Sequence, residues 1–332
     1  MHWLVYALGG GLGHLTRGLA LARAARRQGV RVTLLTNSPF AAVLPVRDEL
    51  HRDDCLIIIP DQSRLQETKY QVRDVIRDSP AQLLIVDTFP RGLGGELADL
   101  LPMLSIPTAL VHRDLNPKYV ESFELSRFVS TYDLLLCPGE SGPLKSARTR
   151  RTLPWLIRDS EELLHAVPAR RQLGLMDADV RPVALVSGSG RADEIREMEA
   201  SALWLERQLE DRVHIRFCSP VTKNSTGLNI WPLLPLLPGV DVLIGAGGYN
   251  TVSEARVTGT PLIALARPRM YDRQQVRLAQ HETFTMRDEL PDRILSLTAS
   301  SANDRRRTPP AYSNGTHQAV EALLKLVGHS SI

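Results

Sequence analysis

Apolar residues in the first half of the chain fall into short runs of strand type. They are W-L-V-Y-A-L from Trp3, V-R-V-T-L-L from Val30, C-L-I-I-I from Cys55, L-L-I-V-D from Leu83, T-A-L-V-H from Thr108 and D-L-L-L-C from Asp133. Stretches of helical period lie between them. The clearest is 15–28, which puts Leu15, Leu19, Ala22 and Ala25 on one side, sends several arginines elsewhere and stops at Gly29, a usual helix C-cap residue. Near-continuous apolar strands alternating with helices predict a parallel sheet covered on both faces.

The pattern breaks between about Cys137 and Pro182, in a polar, arginine-rich stretch that suits a connector. It restarts with V-A-L-V-S-G-S-G from Val183, a long helix around 192–210, V-H-I-R-F-C from Val213, V-D-V-L-I-G from Val240 and P-L-I-A-L from Pro261. A loop at 305–315 precedes a last amphipathic helix over about 317–327, with Val320, Leu323, Leu324 and Val327 at core spacing. The expected organisation is an N-terminal Rossmann-like domain over 1–150, a connector over 151–181, a second Rossmann-like domain over 182–312, and a helix and tail over 313–332.

Length agrees, since 332 residues suit two domains of roughly 150 each. With 43% apolar and 23% charged residues, disordered, fibrous and membrane-spanning classes are set aside. A net charge of +3, from 40 basic and 37 acidic side chains, gives no reason to expect a nucleic-acid partner. Basic residues do cluster locally, in K-S-A-R-T-R-R at 145–151 and at Arg305, Arg306 and Arg307, and are read as solvated surface, with contact to phosphates or anionic lipid headgroups as the alternative. Cys55, Cys137 and Cys218 are far apart, each in or beside an apolar run, so buried thiols are expected rather than metal ligands or disulfides. Reduced thiols, the lack of a signal-type leader and the lack of an apolar run of about eighteen residues point to the cytoplasm, with any membrane contact peripheral, at the inner membrane face.

Three segments carry candidate chemistry. The first strand runs into Gly9, Gly10, Gly11, Leu12, Gly13 and His14, then directly into a helix, so backbone amides are exposed at a helix N-terminus. A dinucleotide fingerprint would need an acidic residue at the end of the second strand, where Asn37 stands instead. His14 at this turn is placed to deprotonate a hydroxyl near neutral pH, or merely to cap the turn. Asp87, and Arg113 with Asp114 in H-R-D, close two further strands at the rim where open α/β sheets bind ligands; helix capping explains the aspartates equally well.

The third segment spans 240–280. A buried strand ends at Gly245, Gly247 and Gly248 make a turn, and a helix opens near Tyr249 and Asn250 with the Thr251 hydroxyl and free amides facing an incoming anion. Glu254 on the first helical turns suits a vicinal diol such as a ribose, and Asp272, Gln274 and Gln275 suit sugar hydroxyls. D-A-D at 177–179 formally matches a metal-binding D-x-D motif but precedes a strand, so it is read as surface and no metal is expected.

The glycine pair, T-V-S-E, G-x-P and D-R-Q-Q, in this order and behind a Gly-rich loop ending in Gly-His, resemble the donor site of MurG-type UDP-sugar glycosyltransferases, which are glycosyltransferase family 28-like. About 60 residues carry the motifs. The resemblance implies a GT-B fold, two Rossmann-like domains facing a cleft. It also implies diphosphate contact through Thr251 and the turn of Ser187, Gly188, Ser189 and Gly190, ribose contact by Glu254, donor-sugar contact by Gln274 and Gln275, and a base held near Ile230 and Trp231. Trp231 suits a core aromatic as well, and Tyr249, Asn250 and Gly247 depart from the family pattern. The activity implied is a metal-independent inverting transfer of a hexosyl or N-acetylhexosaminyl group from a nucleoside-diphosphate sugar, with no other cofactor and His14 as base. Gly10, Gly11, Gly13, Asp87 and Arg113 fall on the acceptor side. Hydrolysis of the donor by water and a non-catalytic nucleotide-binding module are the alternatives. The acceptor, lipid-linked or soluble, is not specified, and a monomer or weak dimer is expected.

Overall fold

In a computed structural model, residues 1–60, 65–221, 227–279, 281–283, 286–301 and 308–330 are described. The chain forms two compact units. The first comprises Met1–Ile157, Met270–Asp272 and Asn314–Ile332, and the second Arg158–Arg269 and Arg273–Ser313.

The first unit holds strands β1 (His2–Tyr6), β2 (Arg31–Thr36), β3 (Cys55–Ile58), β4 (Leu83–Asp87), β5 (Thr108–Val111), β6 (Leu134–Pro138) and β7 (Thr149–Thr152). Its helices are α1 (Leu12–Arg26), α2 (Leu65–Asp78), α3 (Leu97–Leu100), α4 (Pro117–Ser122) and α5 (Leu125–Phe128). The strands pair in parallel in the order β3-β2-β1-β4-β5-β6-β7. Because side chains alternate across a strand, Leu4, Tyr6, Leu84, Val86 and Leu110 line one face. There they form a core with Val72 and Ile76, one turn apart on α2.

The second unit holds α6 (Ala166–Gln172), β8 (Val183–Ser187), α7 (Ala192–Leu209), β9 (His214–Cys218), β10 (Val242–Ala246), α8 (Tyr249–Thr258), β11 (Leu262–Leu265), α9 (Gln274–Arg277), β12 (Glu282–Thr283) and α10 (Leu290–Ser301). Its sheet is also parallel, in the order β12-β11-β10-β8-β9. The chain ends in α11 (Gly315–Ser330), which returns to the first unit and packs on α1, β6 and β7. The architecture is the expected one, two parallel α/β units.

The pattern of apolar positions missed β7. Its sequence, T-R-R-T, has no apolar residue, yet it pairs with β6 from Leu135↔Thr149 to Pro138↔Thr152. As the last strand of the sheet it has one free edge, and exposed Arg150 and Arg151 there oppose pairing with another strand. Half of the basic run at 145–151 is therefore a sheet edge. Arg305, Arg306 and Arg307 lie outside the described residues. Cys137 and Cys218 are buried free thiols, but Cys55 is exposed, because β3 is the opposite edge strand and is only partly covered. Among the described residues no helix is long and apolar enough to cross a membrane.

Candidate functional site

In open parallel sheets, ligands bind at the carboxyl ends of the strands where the strand order reverses, because helices leave to opposite faces there and open a crevice. In the first unit the reversal lies between β1 and β4, and in the second between β8 and β10. Both points fall on segments that the sequence singled out.

At the first, β1 leads into Gly9, which has φ +146°, and the His14 ring packs over it; a Cβ on Gly9 would come within 2.4 Å of the ring. Gly10 and Gly11 face no such constraint, so the glycine that seats the histidine is Gly9, a residue missing from the expected set. α1 starts at Leu12 behind Gly11, with no side-chain cap and no acidic residue in its first turn. His14 Nδ1 lies 2.6 Å from Asp87 Oδ2 at the end of β4. Arg17, one turn further along α1, donates from Nε to Asp87 Oδ1 at 3.0 Å and from Nη2 to Oδ2 at 2.7 Å, and also reaches Thr88 Oγ1 at 3.2 Å. Both Arg17 and Asp87 are only 2% exposed.

Burial alone would raise the Asp87 carboxyl, but Arg17 and His14 more than offset it and hold Asp87 well below the usual carboxylate range. An ionised Asp87 takes the hydrogen of Nδ1, which leaves the Nε2 lone pair without a partner among the described residues, on a side chain 16% exposed. Burial lowers the His14 pKa from 6.5 against the opposing pull of Asp87, with Arg17 and Arg113 acting in the same sense as burial. The imidazole is thus neutral at neutral pH. Asp87 caps none of the described helices; Asn116 caps α4 through the Lys118 amide.

The segment after β4 is held firmly. Thr88 has φ +72°, a strained conformation for a threonine, at a cost on the order of 1–3 kcal/mol that the buried network sustains. Phe89 stacks on the His14 ring at 5.3 Å, and Tyr271 meets Phe89 and Tyr119 edge-on. Buried Glu96 accepts from the Tyr6 hydroxyl and from the Gly94 amide, and the Leu93 amide donates to Tyr6 Oη, which closes the loop back onto β1. Arg113 is buried and donates to Glu140 at 3.1 Å, with Asp272 at 3.7 Å; the Asp114 amide donates to the same Glu140 oxygen. Asp272 therefore belongs to the first unit, beside Arg113, and not with Gln274 and Gln275.

In the second unit β8 leads into Ser187–Gly190 and β10 into Gly247–Thr251. α8 begins after Gly248, which offers no side-chain cap, and its first turn has no acidic residue. Its N-terminal end is therefore open to an anion. Gly247 is boxed in: a Cβ would meet Leu278 Cδ1 at 2.5 Å, and its carbonyl accepts from Arg277 at 3.1 Å. That contact with the α9 region explains a glycine where the resembling family often has serine. Gly248 faces open space. The Tyr249 ring is buried, so only its backbone faces the turn, whereas Asn250 keeps a buried amide oxygen that has no partner among the described residues.

Glu254, one turn along α8, has no charged or hydrogen-bonding partner for its carboxylate among the described residues, and burial pushes its pKa up to about 8. A folded-state pKa above the unfolded one, here about 8 against 4.5, gives stability that is present below pH 4.5 and lost as pH rises through 8. Glu254→Gln is therefore expected to stabilise ligand-free protein at pH 8.5 by on the order of 1–3 kcal/mol after allowance for partial exposure, seen as a higher thermal midpoint, with little change at pH 4.5. Melting curves at the two pH values measure it; equal shifts at both would contradict the assignment.

Gln274 is buried and its Oε1 accepts from the Arg267 amide, so it fixes the preceding loop instead of facing solvent; Gln275 is exposed. Trp231 and Ile230 are half-buried. The sequence also concealed Glu194, 2% exposed in the first turn of α7 beneath the Ser187–Gly190 turn. Arg269 grips it with two bonds of 2.6 and 2.9 Å, and the Arg191 amide donates to it at 3.0 Å. Burial would raise Glu194, but Arg269 outweighs it and the carboxylate stays ionised. The signal was the R-P-R triplet after β11, three residues ahead of D-R-Q-Q. Asp177 pairs with Arg171, and Asp179 with Arg181 and His214. Among the described residues no group of three or more histidines, cysteines and carboxylates is placed to hold a metal.

No protein-family model and no curated protein matches the sequence. Solved structures do match in fold. A glycosyltransferase of kitacinnamycin aligns over 98% of this chain and 99% of its own at 16% identity, with a TM-score of 0.63. MurG of Acinetobacter baumannii aligns over 98% and 99% at 15% identity and a TM-score of 0.57. The chain has the GT-B fold. A Listeria monocytogenes protein assigned as a UDP-N-acetylglucosamine 2-epimerase shares it too, over 98% and 94% at 12% identity and a TM-score of 0.64. GT-B folds thus carry different reactions, and the function has to be argued from the site residues.

Proposed function

We propose that this protein is an inverting glycosyltransferase, similar to the MurG type, in which the second unit holds a nucleoside-diphosphate sugar and His14 of the first unit deprotonates the acceptor hydroxyl. The observation that carries the proposal is the His14–Asp87 pair at the β1/β4 reversal, with a neutral imidazole whose Nε2 lone pair has no partner among the described residues. General-base catalysis needs that protonation state and an orienting partner on the other ring nitrogen. The open end of α8 and the Ser187–Gly190 turn suit the diphosphate, and they stabilise the leaving-group charge with fixed dipoles in place of a metal. Glu254, a carboxylate without a protein partner, suits a diol that donates two hydrogen bonds, and such a ligand would lower its raised pKa. UDP is the first donor nucleotide to test. Phe89 on the His14 ring continues into a run of aromatic contacts through Tyr271 and Tyr119 to half-exposed Phe123, which favours an acceptor with an apolar or aromatic face.

Thermal shift against a panel of UDP- and dTDP-sugars, followed by assay of nucleotide release, tests the reading. A ligand at 100 times its dissociation constant adds about 2.7 kcal/mol, a readily measured shift. Stabilisation by one nucleotide sugar, its loss in Glu254→Gln, and nucleotide release only with an acceptor are expected. Free sugar formed in water alone would mean hydrolysis, and the lack of any nucleotide response would sink the donor assignment.

A further inference from the structure

Resting on the reading of His14 as a base, the geometry points to Arg17 as a positioning residue that keeps the His14 imidazole neutral by balancing the charge of Asp87. A carboxylate in hydrogen-bond contact with an imidazole in a dry site favours imidazolium, a base that already carries its proton. Asp87 is such a carboxylate, 2.6 Å from Nδ1. Arg17 changes the balance. Its fork spans both Asp87 oxygens, so cation and anion are matched within the pair, and its Nη2 also lies 3.3 Å from Nδ1, where it would oppose a positive ring. Lysine, a point charge on a flexible stem, could not cover both oxygens in this way.

The other groups around the ring leave this assignment to Arg17. Phe89 covers one face of the ring, and Tyr271 meets Phe89 edge-on. Arg113, from the segment after β5, also disfavours a charged ring, but its own charge is matched by Glu140 at 3.1 Å and Asp272 at 3.7 Å. Arg17 is therefore the cation that faces Asp87. A merely structural clamp would cost stability and activity without moving the titration of His14. A charge-balancing one must move it.

The test is an NMR titration of histidine-labelled full-length protein in wild type, Arg17→Met, Arg17→Lys and the double variant Arg17→Met/Asp87→Asn. In Arg17→Met the His14 midpoint should rise by about one pH unit or more, and the acid limb of kcat/KM should rise with it, so that turnover falls about tenfold per unit on that limb and recovers at alkaline pH. Arg17→Lys, which keeps the charge, should titrate closer to wild type, and removal of both charges in the double variant should bring the midpoint back down. If Arg17→Met does not fold, Asp87→Asn alone, with an unbalanced guanidinium, should titrate below the double variant. Identical midpoints in wild type and Arg17→Met, or in Asp87→Asn and the double variant, would overturn the proposal. The titration reads the imidazole without substrate, so failure here is distinct from failure of the base assignment, which would appear as unchanged turnover in His14→Ala.

Discussion

His14→Ala is expected to lower kcat by about 10²–10⁴-fold while nucleotide-sugar affinity stays within about twofold, because the ring supplies proton transfer and no donor contact. His14→Gln is the closer control, since it keeps polar bulk over Gly9 but cannot take a proton. In wild type the pH profile should show an acid limb below 6.5, as the His14 pKa is lowered from that value. The base works unprotonated, so turnover falls as pH drops through the lowered midpoint. Steady-state kinetics from pH 5 to 9, with donor affinity measured separately by titration, read out both parts. Turnover that survives in both variants would remove His14 from the reaction.

The largest stability effect is expected at Asp87. In Asp87→Ala the Arg17 guanidinium would stay buried without its anion, a loss of about 3–5 kcal/mol when one partner of a buried pair is removed. Adding Arg17→Met should recover much of it, because the cost lies mainly in the unmatched charge. Urea denaturation of the four proteins of this cycle gives the coupling energy directly, and a loss below about 1 kcal/mol in Asp87→Ala would show that the pair is not desolvated as described. The folded-state pKa of Asp87 is depressed, so its contribution is present above the unfolded value near 3.8 and is lost only as pH falls through the lower folded value. Wild type should accordingly keep this term through mildly acid pH.

His14 and Asp87 each stood out alone, one behind a glycine run and one closing an apolar strand, but 73 positions separate them. Their contact depends on β1 and β4 being neighbours, with Trp3↔Leu83 to Tyr6↔Val86 in register. Arg17 looked like one more arginine on a helix rich in them, and only the burial of that helical face singles it out. Glu254 was legible because a glycine turn, a helix start and a carboxylate one turn later are all local. Glu194 and Arg269, 75 positions apart, were not.

By itself the sequence determined what depends on neighbours along the chain. Strand and helix alternation, and with it the two-unit parallel α/β class, follows from hydrophobic period; glycine turns at strand ends follow from backbone sterics. Tertiary structure decided what depends on strand order. It made T-R-R-T an edge strand and left Cys55 exposed on the other edge, since neither position is set by local hydrophobicity. It placed Asp272 beside Arg113, two residues from a glutamine of the other unit. It also joined a histidine, an aspartate and an arginine into one buried network, because the desolvated charges of Arg17 and Asp87 need each other and only the fold brings them within reach.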